Sequence, residues 1–249
     1  MNDADLLRYS RHILLDDIGV AGQQAISDAH ILMVGAGGLG SAAALYLAAS
    51  GVGGLSISDG DTVDSSNLRR QIIHRTAAVG RNKAESAAET LAALNPGIAV
   101  TPMMDYLSGP ALDLAVAAHD IVIDASDNFR TRHDINQACV RHRKPLVSGA
   151  ALRFSGQVSV FDLRSADSPC YQCLFPDTGV AEETSCVQNG VFSPLVGIIG
   201  ATQAAEALKL CAGIGQSLSG RLLLLDALNM NWRNITLPRD PHCAVCALR

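Results

Sequence analysis

The feature that most constrains the fold of this chain is a glycine-rich turn between an apolar run and a helical segment. The run His30–Val34 is rich in β-forming side chains, and it leads directly into Gly35, Gly37, Gly38 and Gly40. Glycines at this G-x-G-x-x-G spacing permit a tight turn and a close approach of the backbone to a ligand. The first N–H groups of the following helix are available to bind a phosphate. A strand, this turn and a helix in succession indicate a nucleotide-binding unit.

Apolar runs alternate with helical patterns over the first 150 residues. Continuous apolar strands separated by helices predict a parallel sheet that is covered on both faces. We therefore expect an α/β fold with a Rossmann-like, doubly wound, mostly parallel sheet. The predicted strands are 30–34, 55–58, 98–101, 121–124 and 146–148, and the predicted helices are 41–50, 83–94, 111–118 and 130–143.

The pattern becomes less regular after Gly149. Strands are predicted at 157–161 and 221–226, a weaker strand at 231–237, and a long helix at 195–211. The segment 165–190 is aperiodic and predicts a long loop, a kind of segment that is often functional. Because no repeat or linker divides the chain, we expect a single domain over 1–249. Its nucleotide-binding part spans about 28–150 and its C-terminal part about 151–249.

Charge and hydropathy narrow the function classes. The 249 residues include 19 Lys and Arg against 24 Asp and Glu, a formal charge of −5 without long runs of one sign, which argues against a nucleic-acid-binding face. The N-terminus lacks the basic and then apolar layout of a signal peptide. The longest apolar stretch, 191–213, is interrupted by Pro194, Gln203, Glu206 and Lys209. We therefore expect a soluble, cytoplasmic protein with no nucleic-acid or membrane partner.

Charged residues at the strand ends suggest which nucleotide is bound. Asp59 follows the strand after the glycine turn, at a spacing typical of an acid that accepts hydrogen bonds from ribose hydroxyls. A nicotinamide dinucleotide is the default ligand of this pattern. Arg69, Arg70, Lys83 and Asp127, however, favour a triphosphate with its magnesium. Singly, each has an ordinary explanation as a solvated cation or a capping acid. Their convergence on one sheet edge favours ATP.

Four of the seven cysteines form two C-x-x-C pairs separated by 69 residues. Two thiolates from each pair complete a tetrahedral Cys₄ zinc site. A thioredoxin-like redox role would need a pair that opens a helix after a strand, and neither pair has that context in the sequence. We therefore predict structural zinc that fastens the C-terminal tail. The four residues are Cys170, Cys173, Cys243 and Cys246.

The remaining cysteines and the histidines carry weaker signals. Cys139 and Cys211 fall on apolar helix faces and are predicted to be core residues. Cys186 lies in the polar 165–190 loop, where a buried structural thiol and a nucleophile both stay open. The histidines show no paired metal-ligand spacing, and no role is assigned to them.

Taken in order, these motifs resemble the MoeB/ThiF family, the bacterial ancestors of ubiquitin-activating enzymes, from about Arg8 to Cys246. Members adenylate the C-terminal glycine of a small ubiquitin-like sulfur carrier, using Mg-ATP and releasing pyrophosphate. The motifs are Arg8-Tyr9-Ser10-Arg11, the glycine turn, Asp59-x-Asp61, Ser66-Asn67-Leu68-Arg69-Arg70-Gln71, Lys83, Ser126-Asp127-Asn128 and the two cysteine pairs.

The resemblance implies specific roles for residues of this chain. Gly38 and the turn approach the nucleotide, and Asp59 holds its ribose. Asp127 holds magnesium, and Arg11 reaches the ATP of the neighbouring subunit in a homodimer. The phosphates are contacted by Asn67, Arg70 and Lys83, and the nucleotide site also includes Asp61, Ser66 and Asn128. Some relatives carry a C-terminal sulfurtransferase domain. We expect this protein to lack that domain and to depend on a separate sulfur donor protein.

The expected chemistry agrees with the residues present. The attacking carboxylate is already ionised and needs no general base, so the protein must align it with the α-phosphate and neutralise the departing pyrophosphate. An NAD-dependent oxidoreductase would leave Arg70, Lys83, Asp127 and the cysteine pairs unused. A catalytically silent partner subunit would not be expected to retain these cations and this acid together.

The choice of carrier depends on shorter segments. Leu146–Arg153 followed by Gly156-Gln157 is closer to activators of the molybdopterin-synthase small subunit, whereas the N-terminal 18 residues are closer to thiamine-pathway enzymes. The sequence favours the molybdopterin carrier. Cys186 would capture the activated carrier only in the thiamine pathway, and it is not required for adenylation itself.

Overall fold

One eight-stranded sheet runs through the computed structural model, which describes residues 1–177 and 190–247. The strand order is β3-β2-β1-β4-β5-β6-β7-β8. The first five strands are parallel, and β6, β7 and β8 continue the sheet antiparallel to their neighbours. The strands are β1 His30–Val34, β2 Gly54–Ser58, β3 Ala99–Met103, β4 Ile121–Asp124, β5 Leu146–Leu152, β6 Ser155–Phe161, β7 Arg221–Asp226 and β8 Asn231–Thr236.

Helices cover both faces of the sheet. Along β1, Ile31 and Met33 enter the core beneath α4, α5 and α9, whereas Leu32 and Val34 enter the core beneath α6, α7 and α8. This alternation is what a doubly wound sheet requires. The helices are α1 Asp3–Arg8, α2 Ser10–Ile13, α3 Gly19–Asp28, α4 Gly38–Ala49, α5 Lys83–Leu94, α6 Gly109–Ala118, α7 Phe129–His142, α8 Tyr171–Leu174 and α9 Ser193–Ala212.

The predicted fold class is confirmed, and the departures are local. The strand predicted at 146–148 continues to Leu152, because β6 pairs with it along its whole length. The helices α1 to α3 were not predicted; α1 and α2 have only six and four residues, too few for a clear helical period. The loop prediction at 165–190 was wrong for the four residues of α8.

Among the residues that the structure describes, α9 is the one helix with the length and composition of a membrane span. In the fold it is a core helix that packs against α4 and the sheet. Its buried Gln203 donates hydrogen bonds to the backbone oxygens of Asp124 and Val147 at 2.7 and 3.2 Å. Its buried Glu206 accepts a hydrogen bond from the Leu218 N–H at 2.7 Å. Both polar side chains thus connect α9 to neighbouring segments.

Gly200 allows α9 to lie directly against α4. A Cβ atom at Gly200 would be 2.2 Å from the Leu39 carbonyl oxygen and 3.1 Å from the Ala42 Cβ. The first of these distances is much shorter than a van der Waals contact. Because the Leu39 oxygen is a backbone atom, it cannot move aside as the end of a flexible side chain can. A Cβ atom at Gly197, one turn earlier in α9, would have no atom of another segment within 4 Å.

We predict that Gly200→Ala lowers the free energy of unfolding by about 2–3 kcal/mol, because the methyl group would push α9 away from α4. Urea unfolding monitored by circular dichroism measures this change. The matched variant Gly197→Ala should be neutral or stabilising by up to about 1 kcal/mol, since alanine is the better helix former. Equal effects of the two substitutions would contradict the packing described for Gly200.

Candidate nucleotide site and cysteine cluster

The glycine turn lies where the strand order reverses. β1 pairs with β2 on one side and β4 on the other, with Val34 in register with Ser58 and with Asp124. The segments that follow these three residues therefore meet at one edge of the sheet. In open α/β sheets, ligands bind in the crevice at this point.

Three glycines of the turn lie against other atoms too closely for a side chain. Gly35 has φ +104°, and a Cβ there would be 2.6 Å from the Ala125 carbonyl oxygen. A Cβ at Gly40 would be 2.0 Å from the Gly35 oxygen, and one at Gly38 would be 2.8 Å from Val196 Cγ2. At Gly37, the N-cap of α4, the nearest atom is 3.6 Å away, and no side chain caps the helix. The first turn of α4 thus presents its N–H groups without a side-chain acceptor.

Asp59 holds the glycine turn. Its carboxylate is buried, accepting the Ala36 N–H at 2.8 Å and the Asp61 N–H at 2.9 Å on separate oxygens. Burial raises the pKa of Asp59, and the hydrogen bond from Ala36 opposes the rise. Each oxygen keeps a second lone pair. Asp59 therefore caps this turn, and its carboxylate is still able to accept a further hydrogen bond.

Lys83 is held beside the same turn. It is the first residue of α5 and is 6% exposed, and its Nζ lies 2.7 Å from Asp61 Oδ2. Asn82 caps α5 by accepting the Ala84 N–H at 2.9 Å, and its amide donates to the Asp59 carbonyl oxygen at 2.9 Å. The structure thus brings Asp59, Asp61 and Lys83 together.

The segment 64–71 forms a compact turn beside the glycine turn. Asp64 Oδ1 accepts the Ser66 N–H at 2.8 Å, and Asn67 Nδ2 lies 3.4 Å from Ser66 Oγ. Arg70 Nη1 lies 3.5 Å from the Ser66 carbonyl oxygen. Gln71 is 3% exposed, and its Nε2 is the atom nearest the Cβ position of Gly37. This turn therefore adjoins the open side of the glycine turn.

The four paired cysteines form a second site, on the face of the sheet that α6, α7 and α8 cover. The Sγ–Sγ distances are 4.0 Å for Cys170–Cys173, 3.7 Å for Cys170–Cys243 and 3.5 Å for Cys173–Cys246, and all four sulfurs lie within 4.8 Å of one another. Four sulfurs at about 2.3 Å from a central ion form a tetrahedron with edges of about 3.8 Å. The cluster therefore fits a Cys₄ zinc site.

The surroundings of the cluster correct one expectation. Cys173 lies in the short helix α8, which begins after Cys170, so this pair is not in a loop as the sequence suggested. Asn136 of α7 donates from Nδ2 to Cys170 Sγ at 3.6 Å and accepts the Tyr171 N–H at 2.9 Å. The convergence of all four thiols, rather than of one pair, argues for a metal site over a dithiol redox site.

Comparison with known proteins defines the family. The family model described as "ThiF family" matches residues 9–245. The chain belongs to the ThiF family. Molybdopterin-synthase adenylyltransferase of Escherichia coli K12 is 44% identical over 99% of this chain and 98% of its own length. Sulfur carrier protein ThiS adenylyltransferase of the same organism is 45% identical over 99% and 97%. Adenylyltransferase and sulfurtransferase MOCS3-1 of Zea mays is 49% identical over 98% of this chain and 52% of its own length.

Solved structures agree with this ThiF-family fold. Escherichia coli MccB with MccA-N7isoASN superposes with a TM-score of 0.86 at 22% identity, covering 98% of this chain and 75% of that chain. MccB with ATP gives a TM-score of 0.83 at 23% identity, covering 96% and 74%. At this identity the likeness shows the shared fold.

Other residues singled out by the family resemblance lie in different settings. Asp127 is exposed beyond β4, at the same sheet edge as the glycine turn, and Asn128 caps α7 by accepting the Thr131 N–H at 2.9 Å. Arg11 is exposed on α2. Cys186 lies outside the described residues. The predicted core positions are buried at Cys139 and half-buried at Cys211.

His74 is a buried residue beside the site that the sequence did not identify. Its Nε2 lies 3.0 Å from the Ala36 carbonyl oxygen, and its Nδ1 lies 3.0 Å from Ser86 Oγ. Since a carbonyl only accepts, Nε2 carries a proton, and in the neutral ring Nδ1 then accepts from the serine hydroxyl. The neutral imidazole therefore connects the glycine turn to α5. These partners are 38 and 12 residues away in sequence, so no local pattern reveals them.

This environment predicts a pH dependence of stability. Burial lowers the pKa of His74 from its ordinary 6.5. Below pH 6.5 the unfolded chain therefore binds a proton that the folded chain excludes, and the free energy of unfolding falls as the pH falls. We predict that His74→Gln, which retains a donor for the Ala36 oxygen, loses less stability than the wild type between about pH 7.5 and 5.5 in urea unfolding.

The matched control is His30→Gln, because His30 is an exposed histidine on the same sheet. It should keep the wild-type slope of stability against pH. A His74→Gln protein with that same slope would contradict the neutral, buried state assigned to His74.

Proposed function

We propose that this protein is an ATP-dependent adenylyltransferase that activates the C-terminal glycine of a ubiquitin-like sulfur carrier and releases pyrophosphate. The proposal rests on one hydrogen-bonded group of residues at the sheet edge between β1 and β4, where the strand order reverses. There the uncapped first turn of α4 adjoins the Asp59–Asp61 turn and Lys83. The names of the full-length relatives support the same reaction class.

In this mechanism the protein aligns two substrates and neutralises charge. The α4 N-terminus and glycine turn receive the phosphates, Asp59 accepts from the ribose, and Asn67, Arg70 and Lys83 neutralise the departing pyrophosphate. Ser66 and Asn128 line the site as parts of the turns that shape it. The carrier carboxylate attacks the α-phosphate as an anion, so no proton needs to be removed in this step.

Asp127 is the residue proposed to hold magnesium. An exposed carboxylate fits this role because magnesium is usually bound by one or two carboxylates together with substrate phosphates and water. When bound, the ion would add positive charge on the phosphate side. The side-chain oxygen of Asn128 caps α7 by accepting a backbone hydrogen bond, and this cap fixes the position of the adjacent Asp127.

The cysteine cluster is proposed to hold structural zinc. Zinc at this site would fasten the C-terminal segment to α7 and α8, far along the chain from the nucleotide residues. Arg239 supports the segment by donating to the Cys246 and Ala247 carbonyl oxygens at 2.6 and 3.1 Å.

Exposed apolar residues near the N-terminus support a homodimer. Leu7, Leu14 and Val20, which are near one another in sequence, are 78%, 69% and 56% exposed on and around α1 to α3. A surface rich in exposed apolar side chains is typical of a protein–protein interface. Arg11 lies among them on α2. We propose that this surface pairs with a second copy and that Arg11 reaches the ATP of that copy.

We propose that one domain spans 1–249, with nucleotide binding at about 28–150 and carrier binding and zinc at about 151–249. The edge formed by β7 and β8 supports the carrier assignment, because Leu228, Met230 and Trp232 are exposed there.

We propose a separate sulfur donor protein and a cytoplasmic location, where thiols of the C-x-x-C type stay reduced.

The molybdopterin-synthase small subunit is the proposed carrier, with the thiamine-pathway carrier as the alternative. Relatives with each activity are about equally similar to this chain, at 44% and 45% identity. The Leu146–Arg153 segment supports the first choice. Sulfur capture by Cys186 belongs to the alternative and stays a prediction.

ATP–pyrophosphate exchange with each purified carrier tests the proposal. We expect exchange that depends on a carrier ending in an intact C-terminal glycine, with a higher kcat/KM for the molybdopterin carrier. Exchange with the thiamine carrier alone would reverse the choice of pathway. Absence of exchange with both carriers, in protein shown to be folded, would refute the reaction.

We predict that Asp127→Ala lowers the exchange rate at least about 100-fold, because the metal loses a protein ligand at the reacting phosphates. The melting temperature should be nearly unchanged, since Asp127 is exposed. The control is Asp134→Ala, which removes a carboxylate from the next turns of α7 and should retain exchange. Near-normal exchange in Asp127→Ala would exclude the magnesium assignment.

We predict that Cys243→Ser lowers the zinc content and the stability of the protein. A structural zinc site contributes folding free energy, and one missing thiolate leaves it incomplete. Metal analysis should find about one zinc per wild-type chain and much less in the variant. Cys211→Ser, which alters a half-buried thiol outside the cluster, should keep the wild-type zinc content. Wild-type protein without zinc would contradict the assignment.

A further inference from the structure

Tyr106 is an exposed aromatic residue beside the nucleotide site that the proposed mechanism does not use. It lies three residues past β3, and the residue is 70% exposed. Its ring lies over Gly60, where an added Cβ would be 2.7 Å from the ring atoms Cδ2 and Cε2. This packing places the Tyr106 hydroxyl at the Asp59–Asp61 turn.

The hydroxyl completes a chain of contacts that ends at Lys83. Tyr106 donates a hydrogen bond to Asp61 Oδ1, and the Lys83 ammonium donates a hydrogen bond to Asp61 Oδ2 at 2.7 Å. The Lys83 backbone N–H also donates to the Asp61 carbonyl oxygen at 2.9 Å. The Asp61 carboxylate is therefore held at both oxygens, one by a neutral hydroxyl and one by a cation. Restraint at both oxygens limits its rotation.

We propose that Tyr106 is a positioning residue for Lys83, acting through Asp61 rather than through the nucleotide. This rests on the proposed function, in which Lys83 contacts the phosphates. The Lys83 side chain is only 8% exposed, so the direction in which its ammonium reaches a ligand is set by its neighbours. Asp61 is the neighbour that bonds the ammonium, and Tyr106 fixes the orientation of Asp61.

The hydroxyl is suited to act as a permanent donor. The hydrogen bond to Asp61 raises the pKa of Tyr106 to about 12, so the proton stays on the phenol at neutral pH. Hydrogen bonds to an ionised acceptor are stronger than bonds between neutral groups. The pair therefore keeps its geometry over the pH range in which the enzyme would work.

A double-mutant cycle tests whether Tyr106 acts through Asp61. Tyr106→Phe removes only the hydroxyl of an exposed side chain, and we expect kcat/KM for Mg-ATP in carrier-dependent exchange to fall about fivefold. In an Asp61→Ala background the same change should alter kcat/KM less than about twofold, because the intermediary is gone. Tyr46→Phe, an exposed tyrosine near the end of α4, is the matched control and should keep wild-type kinetics.

Two kinetic outcomes would overturn the proposal. A fivefold fall in both backgrounds would mean that Tyr106 contacts the nucleotide directly. Wild-type kinetics in Tyr106→Phe would mean that the hydroxyl has no role in the reaction.

A second measurement needs neither ATP nor a carrier, so it separates this proposal from the proposed function. Competitive acetylation followed by mass spectrometry compares the labelling of Lys83 with that of Lys209, which pairs with Glu206 elsewhere in the fold. We expect Tyr106→Phe to raise the Lys83 to Lys209 ratio about threefold, since Asp61 then releases the amine more often. In the Asp61→Ala background it should cause no further rise. An unchanged ratio would overturn the positioning role even in an active enzyme. A raised ratio in a protein without exchange activity would support the positioning of Lys83 and refute the proposed reaction.

Discussion

The close approach of the β1–α4 turn to the end of β4 is the constraint on which the rest of the structure depends. Gly35 lies against the Ala125 backbone, and Gly40 lies against Gly35 itself. On the other side of α4, Gly200 brings α9 against the Leu39 backbone. The turn is therefore enclosed between backbone segments, and its N–H groups keep a fixed direction. A site for phosphate needs such fixed donors, because they stabilise charge without reorganising during the reaction.

Buried polar side chains hold this packing in register. Asp59 fastens the turn through Ala36, while His74 fastens the Ala36 carbonyl to α5. From the other face, α7 connects two regions of the fold. Asn128 caps its first turn beside Asp127, and Asn136, two turns later, bonds Cys170. The cysteine cluster and the sheet edge beside the glycine turn are thus attached to the same helix.

The sequence predicts those parts of the molecule whose cause is local. The glycine spacing predicts the β1–α4 turn because only glycine tolerates the backbone contacts at Gly35 and Gly40. The two C-x-x-C pairs predict a cysteine cluster because two cysteines three residues apart place their thiols close together whatever the rest of the fold. The parallel strands were predictable from their apolar runs. The antiparallel pairing of β6, β7 and β8 was not predicted, because strand order is not encoded in any one strand.

Contacts between distant residues were invisible in the sequence. His74 meets Ala36 and Ser86 only after the sheet and α5 have assembled, and Tyr106 meets Asp61 across 45 residues. The helix α8 has four residues, too few for a periodic signal. Even so, Asp59, Asp61 and Lys83, which the motifs selected, lie together. The two acids closely follow the end of β2, and Lys83 is the first residue of α5.

The most direct test of this account is a crystal structure of the protein with a non-hydrolysable ATP analogue and magnesium. The account predicts phosphates at the N-terminus of α4 beside Gly37 and Gly38, the ribose at Asp59, and Lys83 within hydrogen-bond distance of a phosphate oxygen. A nucleotide bound away from the β1–β4 switch point, or one whose phosphates leave Lys83 and Arg70 without contact, would contradict it.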